Sequence, residues 1–340
     1  MKSVKTIRAG ILGAGSIAVK MARTMLAVSG VSLTAVASRD LQKAQSFIRA
    51  LSIPQGEPIP KAYGSYEEMA KDPDLDLIYV CTPQSFHFSH TMLCLSNGKS
   101  VLCEKAFMLS AAQAKTAVSY AREKGLFLGE AIWTRFLPIT ETVRQALADG
   151  VIGTPQMMTA KFGVDLRHVQ RLTDPYLGGG ALLDLGVYAL TSIDILFGHD
   201  IAQIQTCAMS TDQGVDARSV TTFHYRDGRF ATAFFRLDTI MDNGVTVFGD
   251  KGYMVIPNVN NWESATAYDR QGHILAHYDR PQQITGFEYE LQAAVDAIRA
   301  GAVECPQMPH ERIIGMMEQM DTLRSQWGVT LPGEENINWR

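Results

Sequence analysis

The chain lacks most of the features that would set it apart from an ordinary globular protein. Five cysteines are scattered over 340 residues. Their odd number and the absence of any Cys-x-x-Cys pair exclude a disulfide framework and leave Cys81, Cys94, Cys103, Cys207 and Cys305 as small apolar residues in a reducing compartment. Basic excess is missing as well. Lys plus Arg number 31 against 35 Asp plus Glu, a net charge of −4, so no cationic face is on offer for a phosphate backbone and nucleic acid is not an expected partner. No uninterrupted apolar run reaches the roughly 18 residues of a membrane-spanning helix. The stretch from Ala9 to Val19 is broken by Gly13, Gly15 and Ser16, and Lys2, Lys5 and Arg8 ahead of it suit a glycine-punctuated strand and turn better than a signal peptide. The expectation is a cytoplasmic protein with no membrane partner. Repeats and low-complexity segments are absent. His87 and His90 stand one turn apart, but no Cys or carboxylate completes a metal site, so a capping or surface role is expected of them; His273 and His277 also read as surface residues, and no catalytic metal is expected.

What is present is an ordinary core. Apolar residues make up 46% and charged residues 19%, which excludes disorder, and at roughly 100 to 200 residues per domain the length predicts about two domains. Residues 1–130 alternate short β-branched runs with amphipathic stretches, the signature of a parallel sheet wound by crossover helices. Strands are expected at Ile7–Leu12, Val31–Ala37, Leu77–Cys81, Ser100–Cys103 and Leu126–Glu130. Helices are expected at Ile17–Val28, Leu41–Leu51, Tyr66–Lys71, His87–Ser96 and Ala111–Lys124, with Asp40 and Ser110 as N-caps and Gly98 and Gly125 at C-caps. Residues 131–340 read differently: helix Ile139–Leu147, strand Gln156–Leu166, helix Ala181–Phe197, a run of hairpin-punctuated strands from Ile201 to Tyr278, then helices Phe287–Ala300 and His310–Trp327. The fold class is α/β: an N-terminal Rossmann domain with a doubly wound parallel sheet, followed by a C-terminal α+β domain with a large, mostly antiparallel, open-faced sheet.

Strand Ile7–Leu12 runs into Gly13-Ala14-Gly15-Ser16-Ile17-Ala18, a G-x-G-x-x-A turn opening a helix. Glycines suit a tight turn that must let backbone approach a pyrophosphate, whose charge then sits at the helix N-terminus. At the end of the second strand, where the adenosine ribose is recognised, stand Ser38 and Arg39. A hydroxyl and a guanidinium fit a 2′-phosphate, so NADP is expected, with NAD possible if Asp40 reaches the ribose instead of capping its helix. Thr82, Pro83 and His87 follow the third long strand at the cofactor edge and suit the nicotinamide ribose. Glu104 and Lys105 end the next strand, where a lysine can bind a substrate hydroxyl and act on a neighbour through its charge. Gly178-Gly179-Gly180-Ala181-Leu182-Leu183-Asp184-Leu185-Gly186-Val187-Tyr188 places a carboxylate and a phenol four residues apart, on one face if the helix starts near Ala181. The bland alternative is that Asp184 and Tyr188 only pack within the second domain.

Together these residues resemble the Gfo/Idh/MocA family of NAD(P)-dependent oxidoreductases over essentially the whole chain. The segments Glu130-Ala131-Ile132-Trp133-Thr134-Arg135-Phe136 and Ala62 to Glu68 are most similar to its dihydrodiol dehydrogenase and NADP-dependent D-xylose dehydrogenase branch, which carries Tyr where the inositol dehydrogenases carry His. The resemblance implies Lys105 and Tyr188 as the catalytic pair, Asp184 orienting substrate, Trp133 and Arg135 also at the cofactor, and Trp133, Phe162 and Trp262 as an aromatic wall for a sugar or cyclic diol. It further implies a homodimer through the C-terminal sheet. One departure stands out: the family's Glu-Lys-Pro is Glu104-Lys105-Ala106 here, which leaves open whether the peptide before Ala106 is cis. Two other activities use the same residues: a NADP-binding regulator or sensor without turnover, and a lyase or glycosidase that retains its cofactor with no net redox.

Overall fold

The computed structural model describes residues 5–339, and the chain divides into two compact units. Unit 1 holds the described residues up to Ala131, Gln283–Met317 and those from Gly333 onward; unit 2 holds Ile132–Gln282 and Glu318–Pro332.

Unit 1 alternates strands with helices: β1 (Ile7–Leu12), α1 (Ser16–Ala27), β2 (Val31–Ala37), α2 (Leu41–Arg49), β3 (Lys61–Tyr63), α3 (Tyr66–Ala70), β4 (Leu77–Val80), α4 (His87–Ser96), β5 (Ser100–Glu104), α5 (Ala111–Lys124) and β6 (Leu128–Ala131). The six strands are all parallel, in the order β3-β2-β1-β4-β5-β6. That is the doubly wound sheet expected, and β4, β5 and β6 are buried along their whole length because helices cover both faces. Five strands were legible in the sequence and the sixth, β3, was not: three residues at a sheet edge are too few to show a period. Three of the four expected caps are in place; α4 is capped by Asn97, and Gly98 follows it at φ 73°. Asp40 accepts from the N–H groups of Gln42 and Lys43, Ser110 accepts from Gln113, and Gly125 ends α5 in the left-handed region at φ 63°.

Unit 2 begins with α6 (Pro138–Ala148), β7 (Pro155–Gly163) and α7 (Gln170–Thr173); a π-helical turn at Leu182–Gly186 then runs into α8 (Val187–Phe197). Strands β8 (Ile201–Ser210), β9 (Asp216–Tyr225), β10 (Phe230–Arg236), β11 (Gly244–Gly249), β12 (Gly252–Pro257), β13 (Ser264–Asp269) and β14 (Ile274–Asp279) follow. With β7 they form an eight-stranded sheet ordered β14-β13-β12-β11-β7-β10-β9-β8, in which only β7 and β10 pair parallel. The strand expected to reach Leu166 stops at Gly163, whose N–H is taken by Asn243 Oδ1 at 2.7 Å. Met158, Ala160, Phe223, Ala231, Val247 and Met254 fill the inner face of the sheet, on which α8 packs. The chain closes with α9 (Glu288–Arg299) in unit 1 and α10 (His310–Trp327).

One reading from the sequence needs correcting. Pro175–Phe197 is long and apolar enough, with a mean hydropathy of 1.6, to cross a membrane, yet 89% of its most apolar window is buried inside the protein. Its helical part, the π-helical turn and α8, is apolar all round because neighbours surround it.

Candidate active site

In unit 1 the glycine turn is built for an anion. Gly13 sits at φ +117°, and a Cβ there would lie 2.9 Å from the carbonyl oxygen of Cys81. At Gly15 a Cβ would meet nothing within 4 Å. The N-terminus of α1, at Ser16 and Ile17, has no side-chain cap and no acidic residue in its first turn, so its N–H groups and the dipole's positive end face open space. These residues fit the pyrophosphate of a dinucleotide.

Beyond the end of β2, Ser38 is buried and accepts weakly from Asp40 N at 3.4 Å. Asp40 spends its carboxylate on α2, which leaves Arg39 exposed and without an ion pair among the described residues. Arg39 lines a cavity with Gly64, Tyr66, Thr82, Pro83, Phe86 and His90. His90 is held by Thr82 Oγ1 at 3.0 Å and stacks on Phe86. Burial, then His87 and Arg39, push it down to about 4, so it is neutral at pH 7.

His87 is 1% exposed, with Nδ1 2.9 Å from the carbonyl of Ala106 and Nε2 2.8 Å from that of Thr82. Neither histidine has the surface or capping role expected of it; His87 straps the segment after β4 to the one after β5. There Glu104 Oε1 accepts from Tyr79, and Oε2 accepts from Lys105 N at 3.1 Å. Glu130 Oε1 accepts from Phe107 N at 3.1 Å, and the Lys105–Ala106 peptide is cis. Two buried carboxylates thus grip the backbone on either side of Lys105 and Ala106. Sequence reading missed Tyr79, and also Glu290 of α9, which is fully buried with neither oxygen hydrogen-bonded. Burial and then the nearby Glu104 push the Glu290 carboxyl well up.

In unit 2, Tyr188 is 8% exposed; its hydroxyl accepts from Trp133 Nε1 at 3.3 Å and its ring meets Phe162 edge-on at 5.8 Å. Asp184 is buried too, and its Oδ1 accepts from both terminal nitrogens of Arg171 at 3.2 Å. Arg171 was not singled out in the sequence because a lone charge on a four-residue helical turn carries no pattern. The structure therefore groups Trp133, Phe162 and Tyr188, and places Asp184 on the same helical run. Trp262 is fully buried, its indole N–H without a partner, and Arg135 pairs with Asp194 of α8. Among the described residues no group of three or more His, Cys, Asp or Glu could hold a metal ion.

The glycine run has a physical cause. A Cβ at Gly179 would lie 2.7 Å from the carbonyl oxygen of Leu172, one at Gly180 (φ +121°) 2.3 Å from Asp216 Oδ1, and one at Gly186 3.0 Å from the Phe235 ring. What approaches these glycines closely is the protein itself.

Comparison with known proteins follows the same division. Residues 7–131 match the model of an oxidoreductase family with an NAD-binding Rossmann fold, GFO/IDH/MocA, and residues 140–255 match that family's C-terminal domain. Trans-1,2-dihydrobenzene-1,2-diol dehydrogenase of Bos taurus is 34% identical, the match covering 97% of this chain and 99% of the relative; that of Homo sapiens is 32% identical with the same coverage. Among solved structures, a 3-ketoreductase from Actinomadura kijaniata in complex with TDP-benzene and NADP is 25% identical at a TM-score of 0.83, covering 94% of this chain and 98% of that one. An aldose-aldose oxidoreductase from Caulobacter crescentus shares the fold at a TM-score of 0.83 and 21% identity, covering 94% of this chain and 97% of that one.

Proposed function

This chain belongs to the GFO/IDH/MocA family of oxidoreductases with an NAD-binding Rossmann fold, and from that premise we propose that it is a NADP-dependent dehydrogenase. Its substrate is a secondary alcohol or hemiacetal carbon of a cyclic trans-dihydrodiol or a sugar. The observation that carries this reading is Tyr188, nearly buried, its phenolic oxygen held by Trp133 and its ring walled by Phe162.

Bound NADP supplies the hydride acceptor in oxidation and, reduced, the donor in reduction. The residues that would hold it are the Gly13–Ile17 turn, Ser38 and Arg39 at the 2′-phosphate, and Thr82 and Pro83. Arg39 supports NADP over NAD because among the described residues it is a cation without an ion-pair partner, while Asp40 is engaged in its cap. In oxidation the phenolate form of Tyr188 takes the substrate hydroxyl proton at Oη and becomes the phenol, as the carbon bearing that hydroxyl gives up its hydride; in reduction the phenol returns that proton to the carbonyl oxygen. The Trp133 N–H stabilises negative charge on Oη in passing. Asp184, its Oδ1 held by Arg171, orients the substrate from the same helical run as Tyr188. Lys105 assists as a cation, the backbone beside it fixed by Glu104 and Glu130.

The test is NADPH formation with NADP⁺ and NAD⁺ in parallel over a panel of trans-cyclic diols, aldoses and inositols. Turnover of one class with NADP⁺ supports the reading. NADP binding with no turnover on any class refutes it in favour of a cofactor-sensing protein.

A further inference from the structure

The helical run that carries Asp184 and Tyr188 starts without a cap of its own. No Ser, Thr, Asp or Asn stands at residues 178–181, and the residue before the π-helical turn makes no side-chain cap bond. Its first turn is held instead by a carboxylate 34 residues further along the chain: Asp216 Oδ2 accepts from Leu182 N at 2.7 Å. Asp216 is the first residue of β9 and is 1% exposed. Gly180 makes room for it, since any Cβ there would collide with Oδ1. On the opposite side Gly179 abuts the carbonyls of Leu172 and Asp174, in the segment whose Arg171 grips Asp184. The start of the helix is thus wedged between two supports, one ending at its backbone and one at its Asp184 side chain.

We propose that Asp216 is a positioning residue for Asp184 and Tyr188, acting through the helix N-terminus that it caps. The cap works best as a carboxylate, which accepts through both oxygens and complements the positive end of the helix dipole; a carboxylic acid gives up an acceptor site and the charge. Burial pushes Asp216 up to about 7, against the N–H groups of Leu182 and Ala181 and the charge of Arg324 from α10, all of which pull it down. Arg324 is itself paired with Asp321, and Arg218, two residues along the strand, with Asp238. The cap therefore changes state near neutrality, and the pair it positions is best ordered above that pH.

This rests on the proposed assignment of Tyr188 and Asp184 to substrate, and the experiment separates the two. With a turned-over substrate, the wild type should show KM rising about tenfold from about pH 8 to about pH 6 with NADP affinity unchanged. Asp216→Asn should show the raised KM at both pH values. A variant with the wild-type KM and pH profile overturns the proposal while leaving the function intact. Without any substrate, Trp133 still reports on Tyr188 through their hydrogen bond. Tryptophan emission of the wild type should titrate with a midpoint near 7, and Asp216→Asn should lose that transition. A flat wild-type titration between about pH 6 and about pH 8 overturns the proposal even if the variant fails to fold.

Discussion

Tyr188→Phe removes the oxygen to which Trp133 Nε1 donates but keeps the ring that Phe162 packs against. The expected result is a loss of about 10²- to 10⁴-fold in kcat/KM with NADP affinity unchanged, read from steady-state rates and cofactor titration. Lys105→Met should lose a comparable amount, since the backbone bonds to Glu104 and Glu130 stay while the ammonium goes. Turnover near the wild-type level in either variant removes that residue from the mechanism. Arg39→Asp replaces the cation at the ribose end by an anion, so the ratio of kcat/KM for NADP⁺ over NAD⁺ should fall about tenfold to hundredfold; an unchanged ratio refutes the 2′-phosphate assignment. Single residues whose structural part follows from local spacing were legible: Gly13 and Gly15 in the turn before α1, and Asp40 as the cap of α2. Arg171, Glu130, Tyr79 and Glu290 were not. Their roles come from partners 13 to 25 residues away or on another element, and a side chain's partner across a fold leaves no local period.

At the scale of elements, hydrophobic period and caps placed most helices and strands to within a residue or two. Asp40→Ala should lower stability by about 1 kcal/mol through loss of the α2 cap, measurable by urea unfolding. The entry to β4 makes a second case. Burial pushes Asp76 up, but hydrogen bonds from the Arg8 side chain and N–H and from Lys5 outweigh it and hold it at about 2. A carboxyl lowered in the folded state contributes stability above its unfolded value of 3.8, lost as pH falls toward 2. Asp76→Asn should therefore be less stable than wild type at neutral pH, the gap closing below about pH 3 in thermal melts. The helix that carries Asp184 and Tyr188 is where the period misled. The expected α-helix from Ala181 is π-wound from Leu182 to Gly186, where Asp216 bonds Leu182 N and Gly186 abuts Phe235, contacts that no helix period registers.

At the scale of the molecule, the outer face of the eight-stranded sheet is the surface that asks for a partner. Its cross-strand register lines up His224, Phe230, Met157, Phe248, Tyr253 and Tyr268 in one row, and beside it runs a row of threonines, Thr222, Thr232, Thr159 and Thr246. Phe230 is 42% and Met157 40% exposed. A flat, half-apolar sheet face of this kind suits a second copy of the chain. We propose that this face seats a second copy: the wild type should then sediment as a dimer and the double variant Phe230→Asp, Phe248→Asp as a monomer, and a monomeric wild type refutes the proposal. The sequence by itself determined what depends on neighbours along the chain: the alternation of strand and helix, the glycine turn before α1, the change of texture after residue 130, and the residue types fit for hydride chemistry. Tertiary structure alone decided what depends on neighbours in space. It brought α9 to the Rossmann unit, set Trp133 on Tyr188, Arg171 on Asp184 and Asp216 under the helix, because those contacts join segments whose separation no local pattern encodes.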